Sequence, residues 1–101
     1  MTTRQLGPIG DKIIFENDEI RVWSLHLKPG ERQPWHQHLL PYLVVPITHG
    51  KNKMIFDDGR EKDTIESPGE VLWREPGIPH ELINNSDWEY SNVLVEVKLK
   101  T

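Results

Sequence analysis

The chain has 101 residues, no cysteine and a formal net charge of -4 at pH 7. Its length predicts one domain, residues 1–101, and its 36% of hydrophobic residues can fill one modest core. The lack of cysteine excludes disulfides, thiolate metal ligands and a cysteine nucleophile. No basic run favours nucleic acid, no apolar run approaches the ~20 residues of a membrane span, and no signal-peptide core is visible. We therefore expect a cytoplasmic protein without nucleic-acid or membrane partners.

Proline and glycine interrupt the chain so regularly that no window is long enough for an amphipathic helix. Between them lie short β-branched and aromatic runs, which predict strands. These strands are expected near Lys12–Phe15, Ile20–Leu27, Tyr42–Thr48, Lys53–Phe56, Lys62–Glu66, Val71–Arg74, Glu81–Asn84 and Tyr90–Leu99. The dipeptide Asp58-Gly59 is typical of a hairpin turn between two of them. Many short strands at this spacing predict an all-β fold, either a closed barrel or a two-sheet sandwich.

Two of these runs alternate clearly enough to assign faces. Trp23, Leu25 and Leu27 fall on one face of the second run, and Arg21 shares that face. The last run alternates aliphatic and polar side chains and predicts a half-buried strand of period two. Its aliphatic members are Val93, Val95, Val97 and Leu99, and its polar members are Asn92, Glu96 and Lys98.

The candidate chemistry lies in the histidines. His36 and His38 stand two residues apart, so in an extended segment both imidazoles project to one face and can meet one ion, while Gln37 points away. Imidazole binds Zn, Fe, Ni, Cu and Mn in its neutral form, so we expect metal binding to weaken below about pH 6. Taken alone, such a pair more often consists of two surface histidines on a loop than of two metal ligands.

The spacing of glycine and histidine resembles the two sequence motifs of the cupin superfamily. The first motif reads G-x5-H-x-H-x3,4-E-x6-G and the second reads G-x5-P-x-G-x2-H-x3-N. The matching residues are Gly30, His36, His38 and Gly50 in the first, and Gly69, Gly77, His80 and Asn84 in the second. This resemblance implies a single-domain cupin jelly-roll barrel. It also implies one divalent metal ion bound by His36, His38 and His80.

The chain departs from these motifs at two positions. Glu75 stands where the second motif has proline, and the glutamate ligand of the first motif falls at Tyr42 or Leu43, neither of which is a carboxylate. The resemblance therefore implies a site of three neutral ligands, which favours an anionic substrate. Three-histidine cupins include thiol and diketone-cleaving dioxygenases. Iron is thus the expected metal if the protein is a dioxygenase. Ni, Zn, Mn and Cu stay open, as does lyase or isomerase chemistry.

A narrower resemblance is carried by the segment Trp35-His36-Gln37-His38 and by the run from Tyr42 to Thr48. It is similar to small cupins of β-alanine degradation, which share the tyrosine in place of the glutamate and the Val-Val-Pro run. Together the resemblances imply a small-molecule substrate and a homodimer. The alternative is a non-catalytic cupin that binds a small molecule or a metal.

Two further residues are candidates for the catalytic site. Tyr42 is either a hydroxyl that contacts the metal or the substrate, or a structural residue. Arg21 either pairs with a substrate carboxylate or caps the barrel rim. His26 and His49 are expected at the surface, and Glu81 is expected to face away from the site because it neighbours a predicted ligand along a strand.

Overall fold

The computed structural model describes residues 5–98, and in this part of the chain the structure consists of β-strands, turns and loops without a helix. The strands in chain order are β1 (Lys12–Glu16), β2 (Ile20–Leu27), β3 (Arg32–His36), β4 (Tyr42–Pro46), β5 (Gly50–Phe56), β6 (Glu61–Glu66), β7 (Leu72–Arg74), β8 (His80–Asn84) and β9 (Tyr90–Val97). They form two antiparallel sheets, β1-β2-β9-β4-β7 and β3-β8-β5-β6. This confirms the predicted all-β jelly-roll fold. Over the same range no helix could cross a membrane.

The predicted strands are confirmed with small shifts at their ends, but β3 was not predicted. Its sequence lacks apolar alternation and contains Pro34, which usually argues against a strand. The proline is tolerated because β3 is an edge strand that pairs with β8, and because the register shifts between Gln33 and His36. Leu99, the last residue of the final predicted strand, lies outside the described residues.

The apolar core fills the space between the sheets in two clusters. Leu25, Leu27, Leu82 and Tyr90 form one, and Tyr42, Val44 and Leu94 form the other. The predicted inner face of β2 is confirmed, since two of its leucines belong to the first cluster and Trp23 packs against the second. Burial of these side chains supplies the main driving force for folding.

Strand β9 is half-buried as predicted, but its fully buried side chains are not the valines. The buried residues are Tyr90, Asn92, Leu94 and Glu96, whereas the valines on the other face are half-buried. The polar members can lie inside because they have partners: Asn92 Nδ2 donates to Tyr90 Oη at 2.8 Å, and Trp23 Nε1 donates to Glu96 Oε1 at 2.7 Å.

The structure explains why glycine stands at two positions, Gly59 and Gly50. The predicted hairpin at Asp58-Gly59 joins β5 to β6, and Gly59 adopts a φ of 90°, which disfavours other residues. At Gly50 the reason is space, because an added Cβ would lie 2.6 Å from Cε1 of the buried Tyr90 ring. The match of Gly50 to the first motif therefore reflects close packing in the barrel interior.

Candidate metal centre

Three histidines converge inside the barrel. His36 ends β3, His38 follows in the next loop, and His80 begins β8 directly opposite His36 in the β3–β8 register. The ring centroids are 5.1 Å apart for His36 and His38, 4.4 Å for His36 and His80, and 5.4 Å for His38 and His80. One ligand nitrogen from each ring can be chosen so that all three lie within 4.8 Å of one another. The structure therefore brings together the three residues that the sequence named as ligands.

The donor set fits a divalent metal ion. Metal–nitrogen bonds of about 2.1 Å place the ligand nitrogens about 3 to 3.5 Å apart. Small rotations of the histidine side chains can bring the nitrogens to this separation. His36 Nδ1 lies 2.8 Å from the Pro34 carbonyl oxygen. Such a contact assigns the ring proton to Nδ1 and leaves Nε2 free to coordinate. His38 Nδ1 is buried without a hydrogen-bond partner, and a metal ion would satisfy such an atom.

Burial keeps the three imidazoles in the neutral form that binds metal. His36, His38 and His80 are 1%, 4% and 7% exposed. Burial lowers the pKa of His38 to about 3, with help from the neighbouring charges of His36 and His80. Burial likewise lowers the pKa of His80 to about 4 and that of His36 below its usual value. Proton competition should therefore begin well below pH 6, which revises the expectation from an unperturbed imidazole.

Tyr42 lies against this cluster. Its ring stacks on His38 with the ring centroids 3.7 Å apart and the planes 11° from parallel. Burial raises the pKa of Tyr42 to about 12, the charge of Arg74 opposes the shift and the charge of Glu66 adds to it. The phenol therefore keeps its proton at neutral pH and acts as a hydroxyl rather than as a phenolate ligand.

Arg21 lies elsewhere. Its guanidinium contacts Glu16 Oε2 at 3.1 Å and Glu96 Oε1 at 3.3 Å. It lines a separate cleft with Trp23 and Glu96 and does not line the cavity of the three histidines. The placement of Arg21 in the catalytic site is thus not supported by the structure, because two carboxylates already engage its charge. The contacts match the alternative role at the barrel rim.

The remaining sequence candidates lie where they were expected. His26 is exposed, with Nδ1 2.7 Å from Ser91 Oγ, and His49 is exposed at the turn before β5. Glu81 accepts a hydrogen bond from Arg32 Nη1 at 2.7 Å. None of these three belongs to the cluster of close ligand atoms found among residues 5–98.

Two adjoining cavities surround the histidines. The inner cavity, of about 30 Å³, is lined by all three histidines, by Tyr42 and Arg74, and by Glu66 and Asn92. The second, of about 130 Å³, shares His38, His80, Tyr42 and Arg74 and adds Lys62. The sequence did not reveal Arg74, Lys62, Glu66 or Asn92 as site residues. These residues could be identified only from the strand pairing, which places Arg74 opposite Tyr42, and the pairing is known only from the fold.

The fold and the three-histidine cluster define this protein as a cupin. Residues 27–99 match the family described as the AraC-like ligand binding domain, and the chain belongs to that family. The chain is 30% identical over 83 residues to the β-alanine degradation protein BauB of Pseudomonas aeruginosa, a match that covers 82% of this chain and 86% of that protein.

Solved structures agree with this assignment. A cupin domain from Bordetella pertussis Tohama I has a TM-score of 0.81 and 28% identity, covering 97% of this chain and 100% of that one. A cupin superfamily protein from Desulfitobacterium hafniense has a TM-score of 0.62 at 12% identity, covers 95% of this chain and 83% of its own, and shows the fold alone. The comparisons confirm the resemblance to small cupins of β-alanine degradation.

Proposed function

We propose that this protein is a cupin metalloenzyme that binds one divalent metal ion through His36, His38 and His80 and acts on a small anionic or carbonyl compound. The observation that carries this proposal is the convergence of three buried, neutral imidazoles whose ligand nitrogens lie within 4.8 Å of one another. When bound, the metal supplies Lewis-acid chemistry or oxygen activation.

The charges around the site favour an anionic substrate. Three neutral ligands leave the +2 charge of a divalent ion without a negative group among its direct ligands. The adjoining 130 Å³ cavity is lined by two basic residues, Arg74 and Lys62, and by one acid, Glu75. The Glu75 carboxylate accepts a hydrogen bond through Oε1 from Trp73 Nε1 at 2.8 Å. A guanidinium can bind a carboxylate with two hydrogen bonds, so Arg74 is the residue we propose for anchoring the substrate.

The other walls of this cavity orient the substrate and exclude water. Met54, Phe56 and Ile78 line it with apolar surface, which strengthens the electrostatic contacts inside. Tyr42 supplies a protonated hydroxyl beside His38, which can donate to a substrate oxygen. We propose Tyr42, together with Arg74, as a residue that contacts the substrate.

For the reaction, we propose dioxygenase chemistry with iron(II), and metal-dependent lyase or isomerase chemistry with Ni, Zn, Mn or Cu as the alternative. The name of the Pseudomonas relative places that protein in β-alanine degradation. On that likeness, small amino and keto acids are the substrates to test first. A cytoplasmic location and a single domain over residues 1–101 stay predictions.

Oxygen uptake by iron-loaded protein tests this proposal. The screen would offer thiols, diketones, β-amino acids and keto acids. We expect one class to be consumed by the wild type and not by Arg74→Gln, with Arg21→Gln as the matched control because that guanidinium lines a separate cleft and pairs with Glu16 and Glu96. Product analysis under nitrogen distinguishes redox-neutral chemistry, which proceeds without oxygen, from dioxygenase chemistry. No consumption of any compound in either atmosphere would contradict an enzymatic role.

A second candidate function is ligand binding without catalysis, and the family description favours it because it names a ligand binding domain. Under this alternative the same cavity holds a small molecule that is released unchanged. A stoichiometric ligand that is recovered intact after prolonged incubation with metal-loaded protein would support it over the enzyme.

We also propose that the protein is a homodimer. An apolar row crosses all five strands of the larger sheet on its outer face: Phe15, Val22, Val95, Leu43 and Trp73 follow one another in register. The two end residues, Phe15 and Trp73, are 53% and 50% exposed. A contiguous apolar face of this kind marks an interaction surface, and a second copy of the chain can cover it symmetrically.

A further inference from the structure

A buried carboxylate lines the cavity beneath the three histidines. Glu66 is the last residue of β6 and is 5% exposed. Its carboxylate accepts hydrogen bonds from the Tyr90 hydroxyl and, at 3.3 Å, from Thr64 Oγ1. Glu66 lines the inner cavity together with His36, His38 and His80, so a charge at this position shares the cavity of the candidate metal centre.

This carboxylate has hydrogen-bond donors but no close counterion in the part of the chain that the structure describes. Among residues 5–98, no lysine or arginine nitrogen forms an ion pair with Glu66 within 4.0 Å. The amide oxygen of Asn92, on the same cavity, is also buried without a partner. Arg74 lines the same cavity but forms no ion pair with Glu66 within 4.0 Å among the described residues, so the buried carboxylate has no direct counterion there, and a cation held by the three histidines would compensate it.

We infer that Glu66 supplies the negative charge that the three-histidine centre lacks and thereby raises its affinity for a divalent cation. The inference rests on the metal site proposed above. The first cupin motif places a glutamate ligand at Tyr42 or Leu43, and neither is acidic. Glu66 brings a carboxylate to the same cavity from another strand. It is not part of the group of ligand atoms within 4.8 Å, so it acts through its charge across the cavity.

Zinc affinity measured against a chromophoric chelator tests this role. The variant Glu66→Gln removes the charge and keeps the size and an acceptor for Tyr90. We expect it to bind Zn²⁺ at least about tenfold more weakly than the wild type, in low and in moderate salt, because buried charges are little screened. Glu61→Gln is the matched control: it removes the same charge from the same strand at a largely exposed side chain, and its affinity should change less than about threefold.

Two further variants separate charge from shape. Glu66→Asp keeps the charge and should retain affinity within about threefold of the wild type. Glu66→Ala removes the same charge with a smaller side chain and should lose at least as much affinity as Glu66→Gln, which keeps the test readable if Glu66→Gln does not fold. The melting temperature of chelator-treated Glu66→Gln should equal or exceed that of the wild type, since the removed charge is uncompensated without metal.

Wild-type affinity in Glu66→Gln would overturn the inference while leaving the proposed metal site intact. Equal losses in Glu66→Asp and Glu66→Gln would also overturn it, because shape rather than charge would then matter. Failure of the wild type itself to bind Zn²⁺ would refute the proposed metal site and this inference with it.

Discussion

Acid should unfold the metal-free protein in a pH range set by its buried histidines. In the folded state burial lowers the pKa of His38 to about 3 and that of His80 to about 4, whereas both have the ordinary value of 6.5 when unfolded. Between pH 6.5 and about 4 the unfolded chain therefore takes up protons that the folded chain does not. Stability is fully present above pH 6.5 and is lost as the pH falls through this window.

The size of the loss follows from the shifts. Each such group costs about 1.4 kcal/mol per pH unit, so His38 and His80 together cost about 5 kcal/mol between pH 6.5 and 4.5. This is comparable to the whole stability of a small domain, about 5 to 15 kcal/mol. We expect chelator-treated protein to be largely unfolded near pH 4.5.

Urea titrations at pH 7.5, 6.5, 5.5 and 4.5, followed by tryptophan fluorescence in the presence of a chelator, measure this dependence. The variant His80→Gln should flatten the slope of the unfolding free energy against pH by about 1.4 kcal/mol per unit. The variant His26→Gln, at an exposed histidine outside the cluster, serves as the control. A free energy of unfolding that stays constant from pH 6.5 to 4.5 would refute the reasoning.

Three further predictions concern the fold and its assembly. Asn84 is fully buried and its Nδ2 donates to the carbonyl oxygens of Leu27 and Trp88 at 2.9 and 2.7 Å, so Asn84→Ala should lower the free energy of urea unfolding by about 2 to 4 kcal/mol; a loss below about 1 would contradict this account. Gly50→Ala forces a Cβ against the Tyr90 ring and should cost about 1 to 3 kcal/mol in the same assay, whereas an unchanged midpoint would mean that the ring moves freely. Val95→Glu, at the centre of the apolar row, should convert a sedimenting dimer into a monomer, and a wild-type monomer at micromolar concentration would refute the dimer.

The sequence predicted the ligands better than it predicted their surroundings. His36, His38 and His80 could be named because the spacing of residues within a motif can be read without knowledge of the fold. Strand β3, which carries His36, could not be predicted, because an edge strand with a proline lacks the alternation that identifies strands.

The cavity residues escaped for a different reason. Glu66 and Arg74 belong to strands whose positions were predicted, but their approach to the histidines depends on which strands pair and in what register. On β9 the alternation predicted the strand, yet the buried face carries Asn92 and Glu96 because hydrogen bonds inside the barrel satisfy them. Local sequence patterns predict the strands, whereas hydrogen-bond partners on other strands decide which polar side chains can lie inside the barrel.

Calorimetric titration of metal-free protein with Zn²⁺ tests the central claim most directly. The account predicts one ion per chain, an affinity weakened at least about a hundredfold in His80→Ala, and wild-type behaviour in the surface control His26→Ala. Binding of similar strength in His80→Ala, or no stoichiometric binding to the wild type, would contradict a metal centre built from His36, His38 and His80.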